Sequence, residues 1–193
     1  MKIVLIGDSI RMGYQNIVKE LLKDKADVIF KEEDNGRFVQ YNLHQLNQLL
    51  YHNPGVDMVF FNSGYWDMNI EHPMDEAFNP IPIYLEGLKR IIDLIKKINA
   101  KPVFLTTPPI YNSGKSIDNT GTNSILNYKN EWVVDYNEHA LKLMKENDVD
   151  VIDVFDLCLK SDKYYKCNDF LHLTYDGYLA ISKEIVKKVL EYE

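Results

Sequence analysis

Three residues hold the chemistry that this sequence offers: Ser9, Asp169 and His172. Ser9 ends the stretch Lys2-Ile3-Val4-Leu5-Ile6-Gly7-Asp8-Ser9, a β-branched apolar run that stops at a glycine, an acid and a hydroxyl. A run bounded in this way predicts a strand buried on both faces. The corner after it sets the serine at the carboxyl end of the sheet, where open α/β sheets bind ligands. At the far end, Asn168-Asp169-Phe170-Leu171-His172-Leu173 places an acid three residues before an imidazole. In a helical turn that spacing puts both side chains on one face. The carboxylate can fix the ring's tautomer and stabilise the imidazolium, and a serine within reach of the ring becomes a nucleophile for acyl transfer. Taken alone, Asp8 and Ser9 also fit a plain turn and helix N-cap.

A serine corner after the first strand, followed at the other end by D-x-x-H before the last helix, resembles the SGNH hydrolase superfamily, the GDSL esterases and lipases. The order of elements resembles that family over nearly the whole chain. The resemblance implies Ser9 as nucleophile, His172 as general base and acid, and Asp169 as the residue orienting the imidazole. The backbone N–H of Ser9 is a candidate donor to the oxyanion. The family's second donor is a glycine after strand two, a place that Gly36 of Asn35-Gly36-Arg37 occupies. A simple tight turn is the other reading of Gly36.

The third donor is where this chain departs. The family pattern after strand three is Gly-Xaa-Asn-Asp, whereas here it is Gly64-Tyr65-Trp66-Asp67. On an extended strand Asn62 shares a face with Gly64, so the expected substitute donor is the Asn62 amide, with Trp66 as a wall of the acyl pocket. The indole N–H of Trp66, or an incomplete oxyanion hole, are the alternatives. Asp8, Gly64, Tyr65, Trp66 and Tyr111 are expected near the mouth of the pocket, together with Tyr14. With 13 tyrosines in the chain, partial core is the plainer role for these rings.

Other groups carry less. His44, His52, His72 and His139 lack a comparable context and are expected to be structural or on the surface. Asp8 and Asp67 could be paired acids of a glycosidase or metal ligands, but no third ligand is spaced to join them, and Asp8 suits a turn organiser. Gly7 and Gly13 do not form a G-x-G-x-x-G phosphate loop. No cofactor and no metal are expected.

These groups need a frame. Residues 2–6, 26–30, 57–61, 101–106 and 150–154 predict five buried strands. Helices are expected over 13–24, 39–51, about 83–99, 126–147 and 176–192, from leucines and isoleucines at helical spacing. Asn35-Gly36 and Asn53-Pro54-Gly55 are stops. The polar stretch 107–124 predicts a long functional loop, and an irregular stretch follows Asp156. Strands alternating with helices predict a three-layer α/β/α architecture with a five-stranded parallel sheet, in flavodoxin-like order 2-1-3-4-5. No repeat or linker divides residues 1–193, so one domain is expected.

Composition narrows the partners. At 193 residues, 46% hydrophobic and 26% charged, the chain reads as a globular domain with one sizeable core. A net charge of −7 argues against nucleic acid or an anionic membrane, and mildly against a highly anionic substrate. The first apolar run breaks at Asp8, too short for a signal-peptide core, and no later run reaches membrane-spanning length. Cys158 and Cys167 form neither a disulfide framework nor a metal knuckle, so a cytoplasmic location is expected. No motif encodes an oligomeric state.

The expected function is a serine hydrolase that cleaves a carboxylic ester through an acyl-enzyme. The resemblance further suggests a short acyl group, such as acetyl on a carbohydrate or small molecule. One alternative is a thioesterase or lysophospholipase with the same triad. Another is a binding protein of weak activity that lacks an oxyanion donor.

Overall fold

Five short apolar segments line up side by side in the computed structural model, which describes residues 1–71, 73–111, 116–119, 124–166 and 171–192, with 116–119 and 124–127 described as backbone. They are β1 (Lys2–Ile6), β2 (Asp27–Ile29), β3 (Met58–Phe61), β4 (Lys101–Leu105) and β7 (Asp150–Ile152), all parallel, in the order β2-β1-β3-β4-β7. Numbered within this sheet alone, the order is the expected 2-1-3-4-5. A further pair, β5 (Ser116–Asn119) and β6 (Ser124–Asn127), forms an antiparallel hairpin.

The registers explain the composition of the central strands. Ile3 pairs with Met58 and Ile6 with Phe61, and every residue of 3–6 and 58–61 is at most 1% exposed. Strands covered on both faces read as unbroken apolar runs, because no side faces water. The cover comes from α1 (Ser9–Leu21) packed on α8 (Tyr175–Tyr192), and from α2 (Val39–His52) on α4 (Ile81–Lys97), which also meets α5 (Asn130–Glu146). Among the described residues no helix is long and apolar enough to cross a membrane.

The elements depart from expectation at their short pieces. The first helix begins at Ser9 rather than Gly13, because Asp8 caps it: its carboxylate accepts from the Ile10 N–H at 2.9 Å. Part of the expected loop 107–124 is the β5–β6 hairpin, so α5 starts at Asn130 rather than 126. Three helices of one or two turns were also not expected: α3 (Tyr65–Met68), α6 (Val154–Leu159) and α7 (Asp162–Tyr165).

Candidate active site

The corner after β1 is built by glycine and a cap. Gly7 has φ +154°, and a Cβ there would lie 2.0 Å from Asn62 Oδ1, so a side chain at this position meets both strain and collision. The chain then turns through Asp8 into α1 and lifts Ser9 onto the first position of that helix. From 163 residues away His172 brings Nε2 to 2.8 Å from Ser9 Oγ. With Nε2 unprotonated, the serine hydroxyl donates to it.

The support of His172 comes from α8. A Cβ on Gly13 of α1 would lie 2.2 Å from the Tyr178 ring, so the glycine lets that ring against the helix. The Tyr178 hydroxyl in turn accepts from the Leu173 N–H, next to His172, at 3.3 Å. Thr174 Oγ1 accepts from the Gly177 N–H at 3.2 Å, which caps the first turn of α8. His172 itself lies in a bend before α8. Asp169 lies outside the described residues, as do His72 and Cys167.

Under the serine is a buried polar floor. Asn62 Nδ2 donates to Asp8 Oδ1 at 2.8 Å, and Asn42 Nδ2 donates to the Asn62 carbonyl at 3.1 Å. Asp67 accepts from Ser63 Oγ at 2.6 Å, from Asn79 Nδ2 at 2.7 Å and from the Val39 N–H at 3.0 Å. The last bond caps α2 from a residue 28 positions away, where Phe38 offers no side-chain cap. Burial raises the Asp8 carboxyl above its ordinary value, against its bonds to Asn62 and Ile10 and the attraction of His172. Asp67 is likewise pushed up to about 6 by burial, against its three donors.

Arg11 holds the loop after β2. Its guanidinium is fully buried and donates to the carbonyls of Lys31 (2.6 Å) and Asp34 (2.5 Å), and also to Gln15 Oε1. Gln15 and Gln45 add bonds to the Glu32 and Asp34 carbonyls. The loop thus reaches Gly36, whose N–H donates to the Gly7 carbonyl at 2.9 Å.

This geometry corrects several expectations. The Asn62 amide does not turn to Ser9: the buried Asp8 carboxylate needs donors and takes it. The Gly36 N–H is spent on Gly7, as a turn stitched to the strand corner. The Ser9 N–H stays at the open end of α1, among first-turn donors without an intrahelical partner. Asp8 (1% exposed) and Tyr65 (1%) are structural rather than pocket walls, with the Tyr65 hydroxyl donating to the Pro108 carbonyl at 2.8 Å. Tyr14 is buried too, and Gly64 is buried against Thr107.

Trp66 and Tyr111 are half-buried and sit apart in two aromatic groups. Trp66 meets Phe38 edge-on at 5.6 Å, and Phe38 stacks on Phe78 at 3.9 Å. Tyr111 stands edge-on to Tyr165 at 6.5 Å, with the Lys166 ammonium 5.6 Å from its ring centre. Cys158 is buried and its thiol is pushed up to about 12, which keeps it protonated and unreactive. Among the described residues no group of His, Cys, Asp and Glu is arranged to hold a metal ion.

A parallel α/β/α sheet thus carries a serine and a histidine in contact over its carboxyl edge. The chain belongs to the GDSL-like lipase/acylhydrolase family, whose model matches residues 5–180. It is 27% identical over 118 residues to the GDSL esterase/lipase WDL1 of Oryza sativa subsp. japonica, a match covering 59% of this chain and 45% of that protein. It is 22% identical over 193 residues to the isoamyl acetate-hydrolyzing esterase 1 homolog of Mus musculus, covering 90% of this chain and 75% of that one. In fold it is similar to Est24, a carbohydrate acetylesterase from Sinorhizobium meliloti, with TM-score 0.75, 13% identity and coverage of 100% and 99%.

Proposed function

We propose that this chain hydrolyses a short-chain carboxylic ester through an acyl-enzyme on Ser9. The observation that carries the reading is the 2.8 Å contact between Ser9 Oγ and His172 Nε2. His172 takes the serine proton as Oγ attacks the ester carbonyl, then gives it to the leaving alkoxide. Water, deprotonated by the same ring, cleaves the acyl-enzyme and restores Ser9. Asp169 is assigned the role of holding the imidazole. The Ser9 N–H, at the positive end of α1, is the backbone donor to the developing oxyanion. An acetyl group on a carbohydrate or small molecule suits the site, with the carbohydrate acetylesterase of like fold as support.

The test is labelling with a fluorophosphonate probe, read by intact mass. One adduct is expected on the wild type and none on Ser9→Ala. A second reading, a binding protein of weak activity, is favoured by one observation: the Gly36 N–H and the Asn62 amide are both engaged elsewhere. Absence of an adduct on the folded wild type would choose that reading.

A further inference from the structure

Arg37 is at odds with the other described residues of its backbone class. Its φ is +48°, a conformation that costs non-glycine residues energy. The other non-glycine residues at positive φ are Asn99 and Asp148, of the side-chain types that tolerate it, each one residue past the C-cap of α4 or α5. Arg37 follows neither pattern. Its N–H is held by Asn35 Oδ1 at 2.9 Å, and its exposed guanidinium lies 5.9 Å from the centre of the Trp66 ring.

That contact spans the serine corner. Strand order puts β1 between β2 and β3, and Arg37 comes from the loop after β2 while Trp66 comes from α3, the short helix that follows β3. Gly36, the residue before Arg37, is bonded to Gly7, two residues before Ser9. Among the described residues no carboxylate forms an ion pair with Arg37. Asp34 on the same loop instead accepts from the Tyr41 hydroxyl at 3.0 and 3.1 Å. A guanidinium laid on an aromatic face keeps its planar fork available to a carboxylate. Phe38, Trp66 and Phe78 supply an apolar platform beside it.

We propose that Arg37 and the Trp66 platform form a subsite for a carboxylate on the alcohol part of the ester. The substrate class is then an acetyl or similarly short ester of a hydroxy acid, with an apolar body between hydroxyl and carboxylate. This rests on the esterase reading above. Hydrolysis adds water across the acyl C–O bond and releases the short acid and the free hydroxy acid. The negative net charge of the whole chain does not oppose such a ligand, since charges beyond ~8 Å are largely screened at physiological salt.

The test compares a carboxylate with its neutral amide. Calorimetry on the wild type should show 4-hydroxybenzoate, the product of such an ester, binding roughly tenfold or more tighter than 4-hydroxybenzamide. Arg37→Gln should bring the two within about twofold, with Arg37→Lys between, since lysine keeps the charge and loses the fork. Lys142→Gln on exposed α5 changes net charge equally and should keep the wild-type ratio. The ratio of kcat/KM for 4-acetoxybenzoate over 4-acetoxybenzamide should follow the same order. A wild type that does not prefer the carboxylate, or an Arg37→Gln variant with the wild-type ratio, overturns the subsite. If the binding ratios hold but neither acetyl ester is cleaved, the esterase reading fails and the anion subsite stands.

Discussion

The serine and histidine sides of the site are built in opposite ways. Ser9 stands over a buried polar floor in which Asp8, Arg11, Asn42, Asn62, Ser63, Asp67 and Asn79 are each at most 4% exposed. His172 is half-buried on a bend, steadied through the Leu173 N–H and a threonine-capped helix. Buried polar groups are costly unless every partner is present, so the floor is a stability element as much as a site. The bend is not. Damage on the serine side should therefore appear in folding, and damage on the histidine side in turnover.

The largest expected effect tests the histidine side. His172→Ala should lower kcat on a short p-nitrophenyl ester by roughly 10⁴-fold or more while shifting the melting temperature little. Comparable loss of stability would erase the contrast. Next comes Arg11→Met on the serine side, which removes the Arg11 donor from the Lys31 carbonyl and leaves the Asp34 carbonyl with Gln45 alone. Denaturant unfolding should show a loss of about 3 kcal/mol; an unchanged midpoint would mean that the loop does not lean on Arg11.

Asp67 sharpens the comparison through pH. Its folded value of about 6 lies above the ordinary carboxyl value, so the native state takes up the proton first. Its contribution to stability is complete below about pH 4 and is lost as pH rises through 6. Relative to Asp67→Asn, the wild type should gain about 2–3 kcal/mol between pH 7 and pH 4. Melting curves of both proteins across that range decide it, and parallel curves would place the titration elsewhere. The smallest effect is expected for Tyr178→Phe, which removes the acceptor of the Leu173 N–H. A drop in kcat of roughly threefold to tenfold is expected with KM little changed, measured by steady-state kinetics.

What the sequence made legible followed from pattern. Residues 2–6 and 58–61 are apolar without a break, so both central strands and their burial could be read directly. Ser9 and His172 stood out because turn residues and an acid-imidazole pair are local signals. Arg11 was hidden: it falls before the helix expected from Gly13, where an arginine reads as solvated, and only the fold of 31–34 around it buries it. Asp67, set aside as a glycosidase acid or metal ligand, caps a helix 28 residues earlier, a pairing that no local spacing encodes. Asn62 was aimed at Ser9 by strand geometry alone, which carries no account of the charge on Asp8. The hairpin was missed because four-residue strands have too few positions to show alternation.

The packing of α1 on α8 has a consequence for the order of synthesis. Ile10, Tyr14 and Val18 leave the ribosome well before Ile181, Ile185 and Val189 of α8, roughly 170 residues later. At ~5–20 residues per second, the nascent chain carries that uncovered apolar stripe for roughly ten to thirty seconds. During that interval the serine corner has neither His172 nor the cover of α8, so the growing chain is both inactive and open to chaperones until α8 emerges.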